Sequence, residues 1–278
     1  MKSLSALLAI SVFLLAAGCR SSASARKMAR DLSRRAISAL ENRPFDGDSV
    51  GLAGRDVGIA RGLAPDEALV HVAAGKLALT TGHDVGSWYK LSRYAPQAVE
   101  TARREASAAL QADPKSPEAW CFQAYIDILE RRWDRVQDEV NRAWQLDSSA
   151  FEPYQLRAVS MRLLKRYDES RHFYMVADSH AVEMWQRKQV LAGLGEVARG
   201  VGDTDGQLAL LHRLVELEPG NAWTTGLVAE WHMSHHRYAE AVIWWEKAVA
   251  LAPFPRAVQQ LAKAREAVRT GVAPAADD

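Results

Sequence analysis

The sequence predicts an all-α protein: a right-handed superhelical array of antiparallel helix pairs, closed by a C-terminal capping helix. Three observations predict it. Large residues recur 34 positions apart, Trp120 matched by Tyr154 and Trp133 by Tyr167, and small ones keep the same step, Ala143 matched by Ala177. Gly and Pro fall mostly between segments of helical apolar periodicity. No alternating run rich in Val or Ile reads as a strand. The 278 residues are 48% hydrophobic and 25% charged, which is enough apolar material for a core. A formal net charge of +1 supplies no global field for nucleic acid, and no nucleic-acid partner is expected.

The chain opens with MKSLSALLAISVFLLAAGC, in which Lys2 precedes an apolar run from Leu4 to Ala17 and small residues lead to Cys19. A basic start, a short apolar run and a small-residue end are the anatomy of an export signal, and the run is too short to span a bilayer as a helix. Ala16-Ala17-Gly18-Cys19 resembles the lipobox of bacterial lipoproteins, with Ala where Leu is usual at the first position. The resemblance implies a signal peptide over 1–18, removed by cleavage, and an acylated Cys19 followed by a linker over 19–26. Arg20, where inner-membrane retention usually needs Asp, implies lipid-anchored placement at the outer membrane, facing the periplasm of a Gram-negative cell. Each buried methylene contributes about 0.8 kcal/mol, so two or three acyl chains anchor a protein stably. An ordinary cleaved signal peptide is the alternative. Cys121 is the remaining thiol; within EAWCFQAY it has no neighbouring base or cation and reads as a small, half-buried hydrophobe.

Residues 27–65 form a first, divergent hairpin, in which ARKMARDLSRRAISALEN and DSVGLAGRDVGIARGLAP pair around a turn at RPFDGDS. The array follows over 66–255. Its first repeat pairs DEALVHVAAGKLALTTG, with Gly75 at the helix crossing, with PQAVETARREASAALQADP, and HDVGSWYKLSRYA lengthens the connection between them. Residues 117–150 carry Trp120, Ala124, Trp133, Val136, Val140, Ala143 and Leu146, and residues 151–184 carry Tyr154, Ala158, Tyr167, Ser170, Tyr174 and Ala177. An apparent three-residue insertion precedes 188–221, which carry Leu191, Leu194-Gly195, Leu211, Leu214 and Pro219. Residues 222–255 carry Ala229, Tyr238, Ala241, Trp245, Ala248, Leu251 and Pro253. Ala124, Ala158, Gly195 and Ala229 are expected where the two helices of one repeat cross, and Ala143, Ala177 and Ala248 where the second helix meets the next repeat. RRW, KRY and HRY place basic side chains at the ends of first helices, where they complement the dipole. PRAVQQLAKAREAVRTG supplies the capping helix over 256–270, and 271–278 is expected to be a disordered tail.

A 34-residue helix-turn-helix period with a large residue early, a small one in mid-helix, an aromatic after the turn and Pro near the end resembles the tetratricopeptide repeat (TPR) family. The resemblance covers 66–255 in about five repeats and 27–65 weakly; with the lipobox it implies a bacterial TPR lipoprotein. It also implies a concave groove, lined by the first helices, that receives an extended peptide or a partner helix. Groove-facing positions on this register are Cys121, Tyr125 and Ile128; Gln155, Val159 and Arg162; Ala192, Glu196 and Arg199; and Gly226, Glu230 and Met233. Tyr125, Ile128 and Val159 are expected to set an outward apolar strip beside Arg162, unless the HDVGSWYKLSRYA connection folds back to cover it. These residues do not reproduce the Lys/Asn-rich carboxylate clamp of TPR co-chaperones.

No nucleophile elbow, phosphate loop or paired-cysteine motif is present, and no enzyme is expected. His232 and His236 stand one helical turn apart, a spacing that can chelate a metal, but no local carboxylate or Cys completes the set. No metal, cofactor or small-molecule substrate is expected. Two function classes remain. One is an outer-membrane scaffold, similar to the pilotin or tight-adherence pilus lipoproteins, that aids pilus or secretion-complex assembly. The other is an adaptor that recruits peptidoglycan hydrolases or other periplasmic enzymes. Either would bind an envelope protein or peptide and meet the membrane through its N-terminal lipid.

Overall fold

A computed structural model describes residues 22–41, 47–82 and 94–274. Cys19 and the whole signal segment lie outside the described residues, as do residues 83–93 of the long connection and residues 275–278 of the tail. The described residues form thirteen helices: α1 (Ala23–Glu41), α2 (Gly47–Leu63), α3 (Ala68–Thr81), α4 (Pro96–Ala112), α5 (Pro117–Leu129), α6 (Trp133–Leu146), α7 (Phe151–Leu163), α8 (Tyr167–His180), α9 (Met184–Val201), α10 (Thr204–Leu217), α11 (Ala222–Ser234), α12 (Tyr238–Leu251) and α13 (Pro255–Thr270). Among them, no helix is long and apolar enough to cross a membrane. α1 begins at Ala23, inside the stretch expected as linker, because the Ser22 hydroxyl accepts from the Ala25 N–H at 3.1 Å and caps it there.

Two compact units divide the chain after Ser160. In the first, α1 packs on α2, α3 on α4 and α5 on α6, and successive pairs stack through α1 against α3 and α4 against α5. Its core runs from Ala29, Ala60 and Val70, through Ala36, Leu40 and Val57, to Leu69, Val72, Phe122 and Ile126. In the second unit, α8 packs on α9, α9 on α10, α11 on α12, and α12 on α13. There the capping helix α13 buries Ala257, Leu261 and Ala264 against Trp245, Ala241 and Ala248. Its other face is mixed rather than wholly polar, since Val258 and Val268 are exposed beside Arg265 and Glu266.

Among the described residues, four turns within repeats share one geometry. Arg131, Lys165, Gly202 and His236 all take left-handed backbone, with φ of 58°, 61°, 78° and 57°. Each N–H bonds back to the carbonyl three residues earlier, and the next N–H reaches the carbonyl five earlier: Arg132 to Asp127 at 2.9 Å, Arg166 to Met161 at 2.8 Å, Asp203 to Ala198 at 2.9 Å and Arg237 to His232 at 2.9 Å. This paired closure satisfies carbonyls that the end of a helix leaves open. The turn between repeats is tied by the large residue early in the next first helix. Trp120 Nε1 donates to the Pro114 carbonyl at 2.9 Å, and the Tyr154 hydroxyl donates to the Ser148 carbonyl at 3.0 Å.

Ala124, Ala143, Ala158, Ala177, Ala229 and Ala248 are completely buried, as their repeat positions predict. Gly75 is also at a crossing, against Phe122 and Glu105. Gly195 is a correction: it is buried, but a methyl group there would meet nothing within 4 Å. The close approach lies instead at Gly193, facing Tyr174, and at Gly200, facing Tyr167. The insertion lengthens α9, mostly at its start, to 18 residues against 13 in α5, α7 and α11; Gly195 keeps the place of Ala124, Ala158 and Ala229 relative to the left-handed turn residue, and it is Gly193 and Gly200 that meet tyrosines of α8.

Candidate partner-binding faces

In the first unit the expected outward apolar strip is absent. Ile128 is 3% exposed and Val159 9% exposed, so both belong to the core, as does Cys121. Tyr125 is half-buried against the cluster of Phe122 and Ile126, and its hydroxyl lies 2.9 Å from that of Tyr94. Tyr94 belongs to the long connection, whose ends are closed by the Ala95 N–H donating to the Gly82 carbonyl at 2.8 Å. The described end of that connection therefore folds back onto α5, and Tyr125 is a packed residue. Gln155 is half-buried on α7.

The inner helices of this unit hold charges that periodicity does not announce. Lys76 of α3 places Nζ 2.6 Å from Glu41 Oε1. Burial works to lower its ammonium, but Glu41 outweighs burial and holds it above the ordinary value. Burial raises the nearby Glu152 carboxyl of α7, with Lys76 opposing. Burial also pushes the Cys121 thiol well up, which leaves little of it as thiolate. Lys76 follows Gly75 as Tyr125 follows Ala124, so a reader of the sequence could have placed it on the same face. Nothing local in the sequence signals its pairing with Glu41, 35 residues away.

In the second unit three expected residues do come together. Arg162 is 13% exposed, with Nη1 3.9 Å from the Glu196 carboxylate, and Glu196 also pairs with the exposed Arg199. Arg162 bonds the Tyr174 hydroxyl as well; burial raises that hydroxyl and Arg162 opposes the rise. Ala192 is exposed on the same helix. Glu230 is joined by Arg256 at 3.0 Å, across from α11 to α13. Gly226 is a correction: it is buried, and a methyl group there would lie 3.0 Å from the Trp245 ring, while Met233 packs against the same core. What faces outward here is a charged set rather than an apolar one.

The histidines are built into the second unit. His232 is buried, and burial lowers its imidazole below the ordinary value. His235 stacks on the Trp231 ring at 3.9 Å, with Nδ1 2.7 Å from the Trp231 carbonyl. His236 Nδ1 lies 2.7 Å from the Tyr238 hydroxyl. Among the described residues no group of three or more His, Cys, Asp or Glu could hold a metal.

No family model matches the chain, and no curated protein matches it. Solved structures do. Yeast Tom70 aligns with a TM-score of 0.55 at 15% identity, over 84% of this chain and 48% of its own, so this chain spans about half of that structure. A thermophilic TPR protein of Thermus thermophilus aligns at 0.51 and 18% identity, over 69% of this chain and 100% of its own. PilW, described as a widely conserved type IV pilus biogenesis factor, aligns at 0.50 and 18% identity, over 62% of this chain and 81% of its own. These likenesses establish a TPR-type fold for the described helices.

Proposed function

We propose that the chain is a non-catalytic scaffold of the bacterial envelope, anchored through an acylated Cys19 at the outer membrane and binding a protein or peptide partner along its first helices. On this reading it aids assembly of a pilus or secretion complex. The observation that carries it is the conjunction of an AAGC lipobox at residues 16–19 with a helical-repeat fold similar to that of a pilus biogenesis factor. Repeats of this type present side chains rather than a catalytic pocket, and Glu196 and Arg199, beside the exposed Ala192, offer polar contacts to a partner chain.

Two experiments in the native host test the reading. Replacing Cys19→Ser should move the exported protein from the membrane fraction to the soluble periplasm; sedimentation like the parent's would end the lipoprotein part. Deleting the chain should reduce assembled pili or secretion-complex multimers, and a Glu196→Ala/Arg199→Ala variant should fail to restore them while melting within a few degrees of the parent. Normal assembly in the deletion strain would end the assembly part.

A further inference from the structure

Asp127 of α5, in the first unit, is completely buried. Its Oδ1 accepts from Arg132 Nε at 2.7 Å and from Gln123 Nε2 at 3.3 Å. Its Oδ2 makes no hydrogen bond, although Arg135 Nε is 3.3 Å away. Glu139, on the facing helix α6, is 5% exposed. Its Oε1 lies 3.4 Å from Nη2 of the same Arg135, and its Oε2 is buried without a partner. Two carboxyl groups on paired helices thus grip one arginine, and each keeps an orphaned oxygen. Ionised together they would repel across a desolvated gap and leave both oxygens unsatisfied, an arrangement that costs several kcal/mol. A single proton bound between them removes one charge and supplies the missing donor.

We propose that Glu139 carries a proton that it donates toward Asp127, which makes the α5–α6 pair a proton-linked joint that tightens as pH falls. The joint rests on the packing of these two helices and is independent of the partner proposed above. Burial, then the neighbouring Asp127, raises Glu139 from 4.5 to about 8. The charged groups facing it are Asp127 of α5, Arg132 of the turn and Arg135 of α6, and both arginines oppose the rise. Behind Asp127, Glu130 pairs with Arg132 and with Arg103 of α4. From α7, Ser160 and Arg157 reach α6 at Gln137 and Asn141, each bonding a side chain there. Because the folded value lies above the ordinary one, the native chain binds more protons than the unfolded chain between about 4.5 and 8. The stability this group contributes is complete below 4.5 and is lost as pH rises through about 8.

The test uses the chain with ¹³C-labelled glutamate side chains, following the Glu139 carboxyl carbon by NMR from pH 4 to 9.5 and assigning it with Glu139→Gln. A midpoint near 8 supports the proposal, and a midpoint near 4.5 overturns it. Melting temperatures over the same range give a second readout. The parent's melting temperature should fall from pH 5 to 8, and Glu139→Gln, whose amide donates to Asp127 at every pH, should fall less. An identical fall in both proteins overturns the proposal. If Glu139→Gln does not fold, the carboxyl signal is assigned through its coupling to the Glu139 backbone, and its midpoint decides.

Discussion

A methyl group on Gly193 would sit 2.1 Å from Tyr174 Cζ, a distance no real carbon tolerates, whereas one on Gly195, two residues on, would touch nothing. The same substitution should therefore act with opposite sign at two buried positions of one helix. Gly193→Ala should cost about 1–3 kcal/mol by overpacking. Gly195→Ala should add about 0.5–1 kcal/mol, since Ala loses less backbone entropy in a helix. Urea unfolding midpoints of the two variants measure it, and a loss at both would mean that α9 sits differently against its neighbours. The contrast marks where residue-level reading of the sequence ran out. The 34-residue step places Ala124, Ala158, Gly195 and Ala229 alike relative to the turn, and all four are buried; it does not carry which neighbour comes close, and in α9 that neighbour is Tyr174, met at Gly193. It likewise turned Ile128 outward, because a face assigned by helical period carries no information about how far neighbouring helices wrap around it.

Helices and turns were legible because a period of 34 residues is written in large and small side chains, and packing reads those directly. The reason for RRW, KRY and HRY was only half legible. Dipole complementarity accounts for a basic residue near the end of a helix, but the backbone at Arg131, Lys165 and His236 is left-handed, a state that sequence chemistry signals through Gly or Asn. Between α9 and α10 Gly202 occupies that place, so one of these four turns shows the residue that the geometry favours. A non-Gly residue in this region costs about 1–2 kcal/mol. Gly in turn loses about 0.5–1 kcal/mol more in ordering its chain. Lys165→Gly should accordingly raise stability by up to about 1 kcal/mol, while Lys165→Ala, which keeps the Cβ, should stay within about 0.5 kcal/mol of the parent. Chemical denaturation of both variants checks the difference; equal effects would show that the left-handed turn carries no strain. The long connection between α3 and α4 has no counterpart in any other repeat, so its Tyr94 meeting Tyr125 was open in the sequence as one alternative and is settled only by the fold.

The two units carry buried titratable groups of opposite sense. In the first, Glu139 and Glu152 are both raised, chiefly by burial, so acidification stabilises them as native-state protons are retained. In the second, His232 is lowered, chiefly by burial, with Arg237, His212 and His235 acting the same way and Glu240 opposing. Its Nδ1 is buried without a partner, so no acceptor stands ready for an added proton there. An unfolded chain protonates this histidine below about 6.5, while the native unit resists. The stability His232 contributes is present above 6.5 and is lost as pH falls through its depressed native value. Lowering pH from 7 to 5 should therefore stabilise the first unit and destabilise the second. Amide exchange, corrected for the intrinsic pH dependence of the chemistry, should slow in α5 and α6 and quicken in α11 and α12. His232→Gln, which stays neutral throughout, should abolish the quickening in α11 and α12 and leave the slowing in α5 and α6 intact. Protection that shifts in one direction across both units would mean that a common cause, such as net charge, governs the acid response, and that neither buried group sets it.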